Sequence, residues 1–114
     1  MASSEQIRAT LAAHCAAAGA ADATALADLY APDARLHDPA GAPPVIGRIA
    51  IREHFATVLT EQGEIELLLL VVTGHHAGAV HFRATPAGRP VRDIIDTMTF
   101  DDHAVITLMQ AYAD

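Results

Sequence analysis

The chain has 114 residues, which suits one domain with one hydrophobic core, and residues 1–114 are taken as a single domain. Its formal net charge is −7, and its seven Lys and Arg residues are too few for the basic face that nucleic acid or an anionic membrane surface requires. The composition is 52% hydrophobic but only 4% aromatic, so alanine and aliphatic side chains must fill much of the core.

The first segment, "SSEQIRATLAAHCAAAG", predicts a helix. Ser3 and Gln6 have the spacing of a capping box, and Gly19 is a typical helix end. Helical spacing places five residues on one face of this helix, and a histidine is among them: Ile7, Leu11, His14, Cys15 and Ala18. A histidine on the apolar side of a helix is a candidate for either a core residue or a functional one.

The next segment, "DATALADLYAPD", predicts a second helix, with Asp22 as its N-cap and Pro32 at its end. Tyr30 is predicted to face the core from this helix. The helix is followed by "ARLHD", a short strand in which Leu36 and Asp38 share one face. The carboxylate of Asp38 is thus the last inward-facing side chain of the predicted strand, and a proline and a glycine-containing turn follow it.

A third helix is predicted over "GRIAIREHFATVLTEQG", with an apolar stripe of Ile51, Phe55, Val58 and Leu59. After it the hydrophobic period changes from 3.6 to 2, which predicts four strands. These strands are "EIELLLLVV", "AVHFRA", "VRDIIDTMTF" and "AVITLMQAYA". Helices followed by a run of strands predict an α+β fold, with three N-terminal helices packed on a curved, mainly antiparallel sheet.

A second inward carboxylate lies in "VRDIIDTMTF". Alternation places Asp96 on the same face as Ile94, Met98 and Phe100, where desolvation favours the neutral form of the acid. Two inward carboxylates are costly for stability and are common in acid–base sites. The structural alternatives are that Asp38 caps its turn through backbone N–H groups and that Asp96 pairs with an arginine.

Other kinds of site have weaker support. The seven histidines show no spacing of a known metal motif, and "AGAPPVIG" lacks a phosphate-loop pattern, so no metal and no nucleotide is expected. Neighbours on a helix point about 100° apart, which argues against a catalytic pair of His14 and Cys15.

The single cysteine excludes an internal disulfide and fits a reducing compartment. The N-terminus "MASSEQIRAT" has no pattern of a secretory signal, and "LLLLVV" is too short to cross a bilayer. We therefore expect a small soluble cytoplasmic protein.

Two stretches, "LYAPDARLHDPAGAPPVIGRIAIREHF" and "DIIDTMTFDDHAVITLMQAY", resemble the bacterial Δ5-3-ketosteroid isomerases, a branch of the cone-shaped nuclear transport factor 2-like, or SnoaL-like, superfamily. The resemblance implies that a carboxylate takes the C4 proton of a β,γ-unsaturated ketone and returns it at C6. Asp38 matches the family's base, and Asp96 matches the acid that stays protonated and donates a hydrogen bond to the oxyanion. Such a division of pKa values between two carboxyl groups is a known property of this family.

The chain departs from the family at the oxyanion site. His14 occupies the position of the family's main donor, a tyrosine on the first helix. Tyr30 matches a second tyrosine that supports the first in some members, and Phe55 stands where some members carry a third. Either His14 donates a hydrogen bond to the oxyanion, or it is a core histidine satisfied by Tyr30 or by the backbone.

The resemblance therefore implies an isomerase for a small apolar, steroid-like ketone that works without a cofactor and forms a homodimer through its sheet. Its predicted catalytic residues are Asp38, Asp96, Tyr30 and His14. Its predicted substrate-binding residues are Ile51, Phe55, Val58, Met98, Phe100 and Met109. The alternative is a non-catalytic or differently catalytic (lyase or hydrolase) protein of the same fold that binds a small apolar ligand.

Overall fold

Helices and strands follow one another in an α+β order in the computed structural model, which describes residues 1–59, 63–85, 88 and 90–113. The helices are α1 (Ser4–Gly19), α2 (Ala23–Ala27) and α3 (Arg48–Val58). The strands are β1 (Tyr30–His37), β2 (Val45–Ile46), β3 (Glu64–Thr73), β4 (Ala77–Thr85), β5 (Arg92–Phe100) and β6 (Ile106–Ala113).

One sheet with the strand order β2-β1-β6-β5-β4-β3 carries the fold. Every neighbouring pair is antiparallel except β1 and β6, which run parallel. Helix α1 packs across β3 and β4, whereas α3 packs against β1 and β2, so the core lies between the helices and one face of the sheet. The predicted α+β class is confirmed, and so is the mainly antiparallel sheet.

The first helix follows its prediction closely. Ser3 Oγ accepts the N–H of Gln6 at 3.0 Å, and the Gln6 side chain accepts the N–H of Ser3 at 2.8 Å, which completes the capping box. Leu11 and most of the other apolar residues of the predicted face are buried, together with His14. The helix lies so close to β4 that a Cβ at Gly78 would meet Leu11 Cδ1 at 2.9 Å and the carbonyl oxygen of Val71 at 3.1 Å, so a larger residue at this position would have to displace the Leu11 side chain.

The prediction for the second helix was wrong at its C-terminal end. Helix α2 ends at Ala27, and Tyr30 begins strand β1 instead of lying on the helix. Pro32 is an exposed residue of that strand and does not end a helix. It is tolerated because the register of β1 against β6 shifts between Tyr30 and Arg35, and an irregular stretch of this kind does not need every backbone N–H.

The third helix is shorter than predicted. It ends at Val58, Leu59 leaves the helical conformation with φ −102° and ψ 71°, and the remainder of the predicted helix falls partly on residues 60–62, outside the described residues. Ile51 and Phe55 are buried as predicted, but Val58 is 49% exposed. Because Val58 is the last helical residue and its side chain is half exposed, its predicted place on the inward stripe is wrong.

The alternation predicted for "VRDIIDTMTF", which forms strand β5, is confirmed. Asp96, Met98 and Phe100 are buried on one face, whereas Ile95 and Thr99 on the other face are exposed. The two-residue strand β2 was not predicted, and neither was the parallel pairing of β1 with β6. That pairing places the end of β1 beside Met109 and Gln110 of β6, in the middle of the sheet.

Candidate active site

Asp96 is a buried carboxyl group on the inner face of β5, with a relative exposure of 3%. Its cross-strand neighbours are Val80 on β4 and Ala111 on β6, and both are buried. Burial raises the pKa of Asp96 from 3.8 to about 7, and the charge of Asp38 adds to the shift. The neutral acid, which can donate a hydrogen bond, is therefore available near neutral pH.

His14 reaches the same place from helix α1 and is also 3% exposed. Its Nε2 lies 2.7 Å from the hydroxyl of Tyr30, while its Nδ1 is buried without a hydrogen-bond partner in the described chain and lies 4.0 Å from Oδ2 of Asp96. Burial lowers the pKa of His14 from 6.5 to about 4. Since burial disfavours both charged forms, His14 and Asp96 face each other as two neutral groups, and not as an ion pair, at pH values between about 4 and 7.

Tyr30, the first residue of β1, is fully buried, and its hydroxyl forms the hydrogen bond with His14. Burial raises the pKa of its hydroxyl well above the usual value, and the charges of Asp96 and Asp38 act in the same direction, so the hydroxyl keeps its proton. The ring of Phe55 lies 6.0 Å from that of Tyr30 and 6.2 Å from that of His14, which gives the three rings a common packing cluster.

Asp38 follows the last residue of β1 and is held by a histidine that the sequence patterns did not indicate as functional. Nε2 of His54, on α3, lies 2.9 Å from Oδ2 of Asp38. Within the described residues no backbone N–H donates to this carboxylate, and no arginine pairs with Asp96. Neither structural alternative therefore applies to the described part of the chain. A signal for His54 existed, because it lies three residues after Ile51 and next to Phe55 on the predicted apolar stripe.

The loop after Asp38 is fixed beside Asp96. Ala40 N–H donates to the carbonyl of Ala111, which is the residue opposite Asp96 on β6, at 2.7 Å. Nδ1 of His37 lies 2.8 Å from the carbonyl of Ala42 across the turn, and Gly41 within it has a φ of +90°, which favours glycine. The charge of Asp38 acts on the pKa values of both Asp96 and Tyr30, in keeping with this placement.

The structure therefore brings three of the four predicted catalytic residues, His14, Tyr30 and Asp96, into one buried cluster and places Asp38 at its edge. Five of the six predicted substrate-binding residues are buried in the core that adjoins this cluster, namely Ile51, Phe55, Met98, Phe100 and Met109. Val58 is not among them.

Metal-binding and membrane-spanning features are both missing from the described ranges. Within them no three His, Cys, Asp or Glu side chains come together as a possible metal site. No helix of the described chain has the length and apolar character needed to cross a membrane.

The opposite pKa shifts of His14 and Asp96 predict that the pair makes almost no contribution to the pH dependence of stability between about 4 and 6.5. In this range the folded pair holds one proton, on Asp96, because its pKa is raised from 3.8 to about 7. The unfolded chain also holds one proton, on His14, because its pKa of 6.5 falls to about 4 only on folding. Equal proton counts leave the free energy of unfolding unchanged with pH.

Single substitutions should reveal the two opposed effects. In Asp96→Asn, His14 is the only member of the pair that still titrates. The free energy of unfolding should therefore rise by on the order of 3 kcal/mol as pH rises from about 4 to 6.5. In His14→Gln, only Asp96 titrates, so stability should fall as pH rises from about 4 to 7, by on the order of 4 kcal/mol. Chemical denaturation of the three proteins across this range tests the prediction, and three parallel curves would contradict it.

Comparisons with known proteins agree with this architecture. Residues 11–108 match the SnoaL-like domain family. The chain is 40% identical over 112 residues to a protein named steroid Delta-isomerase from Nocardioides simplex, in a match that covers 96% of this chain and 90% of that one. Among solved structures it matches SalBIII, an epoxide hydrolase/cyclase-like enzyme with a role in pyran ring formation in the polyether salinomycin. That match has a TM-score of 0.84 and 21% identity over 100% of this chain and 95% of the other, so it establishes the fold.

Proposed function

The chain belongs to the SnoaL-like domain family, in its steroid Δ-isomerase branch, and on that premise we propose that it isomerises a β,γ-unsaturated ketone to the α,β-unsaturated ketone. Asp38 acts as the base, and Asp96 and His14 bind the oxyanion. The observation that carries the proposal is the buried Nδ1 of His14, which has no partner in the described chain and lies 4.0 Å from Oδ2 of Asp96.

That distance suits one shared acceptor. Two donor atoms 4.0 Å apart can both reach a single oxygen at hydrogen-bond lengths of about 2.8 Å, and the described residues offer Nδ1 of His14 no acceptor of their own. An unpaired donor buried at this depth costs about 1 to 3 kcal/mol. A ligand oxygen between His14 and Asp96 removes this cost and is stabilised most when it carries negative charge.

The hydroxyl of Tyr30 decides which nitrogen of His14 carries the proton. With the proton on Nδ1, the hydroxyl donates to Nε2 at 2.7 Å, and only Nδ1–H is left for a ligand. With the proton on Nε2, the buried hydroxyl proton would lack an acceptor, since its only hydrogen bond in the described chain is with His14. Tyr30 therefore acts through His14, in a chain that ends at the substrate oxygen.

The reaction needs no cofactor. Asp38 breaks the C4–H bond and takes the proton, and the electron pair moves into a dienolate whose charge rests on the carbonyl oxygen. His14 and Asp96 hold that oxygen through Nδ1–H and O–H donors. Asp38 then gives the proton to C6, and the dienolate collapses to the conjugated ketone. The apolar surroundings that suit a steroid-like substrate are supplied by Ile51, Phe55, Met98, Phe100 and Met109.

A direct assay tests this proposal. Conversion of 5-androstene-3,17-dione to its conjugated isomer is followed by growth of the enone absorbance. Turnover above the buffer rate supports the isomerase. Binding of a phenolic steroid without turnover would favour the non-catalytic alternative, and hydrolysis or dehydration without double-bond migration would favour another reaction at the same site.

A homodimer that forms through the outer face of the sheet is part of the proposal. The register places Leu69, His81, Ile95 and Tyr112 in one row across β3 to β6. Three of these side chains, Leu69, Ile95 and Tyr112, are exposed and largely apolar, and such a row suits contact with a second copy. We expect Ile95→Glu to be monomeric by light scattering, whereas Val58→Glu, at a similarly exposed apolar position on α3, keeps the dimer. Equal masses for the two variants would contradict this interface.

A further inference from the structure

His54 is a polar residue of the candidate site that the proposed chemistry leaves without a role. It lies on α3 next to Phe55, and its ring packs edge-on against that of Phe55 with centroids 5.7 Å apart. Its Nε2 meets Oδ2 of Asp38 at 2.9 Å, and the two side chains are 22% and 32% exposed. The pair therefore lies at the rim of the buried cluster and not within it.

The hydrogen bond restrains a carboxylate that accepts no other hydrogen bond from the described residues. Asp38 lies beyond the end of β1, directly before the turn that starts at Pro39. The orientation of the Asp38 side chain is thus fixed by one hydrogen bond, whose donor is carried by helix α3. With Oδ2 occupied by His54, Oδ1 is the oxygen left to accept a proton.

From this geometry we infer that His54 is a positioning residue for the proposed reaction, which holds Asp38 through Oδ2 so that Oδ1 takes the substrate proton. The inference rests on the proposed function of Asp38 as base. His54 does not touch the reacting atoms, because its Nε2–H is used by Asp38. Its effect should appear in the rate of the chemical step and not in the binding of an apolar substrate.

Three variants isolate the hydrogen bond. His54→Phe keeps a ring against Phe55 and removes only the donor, so kcat should fall about 10-fold to 100-fold while KM stays nearly constant. His54→Gln restores an N–H donor on a flexible chain and should recover much of the lost kcat. His103→Phe makes the same chemical change at an exposed turn residue and should leave kcat unchanged.

The pairing is also measured without turnover, by the imidazole ¹⁵N signals of the full-length protein. Asp38→Ala should shift the signals of His54 and leave those of His81, which pairs with Asp93 elsewhere on the sheet, unchanged. An inactive wild-type protein with this selective shift would refute the isomerase and support the restraint of Asp38. Unshifted His54 signals, an unchanged kcat in His54→Phe, or a Gln variant no better than the Phe variant would overturn the inference.

Discussion

Asp38→Asn is expected to lower kcat by about 10² to 10⁴-fold, because an amide cannot take a proton from carbon and general base catalysis contributes about that factor. The affinity for a phenolic steroid should change little. Asparagine has the shape of aspartate, and its side-chain oxygen can still accept the hydrogen bond from His54. Steady-state kinetics together with titration of the phenol separate the two effects.

The variant also tests how far the two carboxyl groups are coupled. Removal of the Asp38 charge should lower the pKa of Asp96, but burial is the larger cause of that shift, so the pKa should stay above its usual value. The oxyanion site is therefore retained in Asp38→Asn, and a loss of rate reports on the base. Asp33→Asn is the matched control, since it makes the same change at an exposed position of β1 and should leave kcat unchanged. Turnover that survives in Asp38→Asn would refute Asp38 as the base.

Much of the fold could be predicted from residue periodicity. The two faces of β5 and the buried face of α1 are set by alternation and by helical spacing, and both patterns reflect where a side chain escapes water. Asp96 and His14 were identified because they break those patterns, since a polar residue in an apolar series is costly unless the site uses it.

The parts that could not be predicted depend on contacts between distant segments. Local spacing predicts Tyr30 on a helix, but pairing with Ile106 of β6 makes it the first residue of a strand. The hydrogen bond between His54 and Asp38 joins α3 to the loop after β1. The local sequence pattern around either residue gives no information about its contact with the other. Nδ1 of His14 has no partner among the described residues because Tyr30 binds the other ring nitrogen, and only the tertiary structure shows where Tyr30 lies.

The second large effect is expected at Asp96. Asp96→Leu removes the O–H donor and should lower kcat by about 10² to 10³-fold, which is the usual loss when one oxyanion donor is removed. Asp96→Asn keeps an N–H donor and should lose less. The isosteric change Thr97→Val, at the next residue on the opposite face of β5, is the control and should leave kcat unchanged.

The pH dependence separates a neutral acid from a carboxylate at this position. Because the pKa of Asp96 is about 7, the wild-type kcat/KM should fall as pH rises through about 7, when the donor is lost and a negative charge faces the developing oxyanion. The amide introduced by Asp96→Asn does not ionise, so the fall should be absent from the profile of that variant. If both proteins lost activity together as pH rises, the titrating group would lie elsewhere. An activity that instead grew through this range in wild type alone would mean that the ionised form of Asp96 is the active one, and the role of oxyanion donor would then fall to His14 alone.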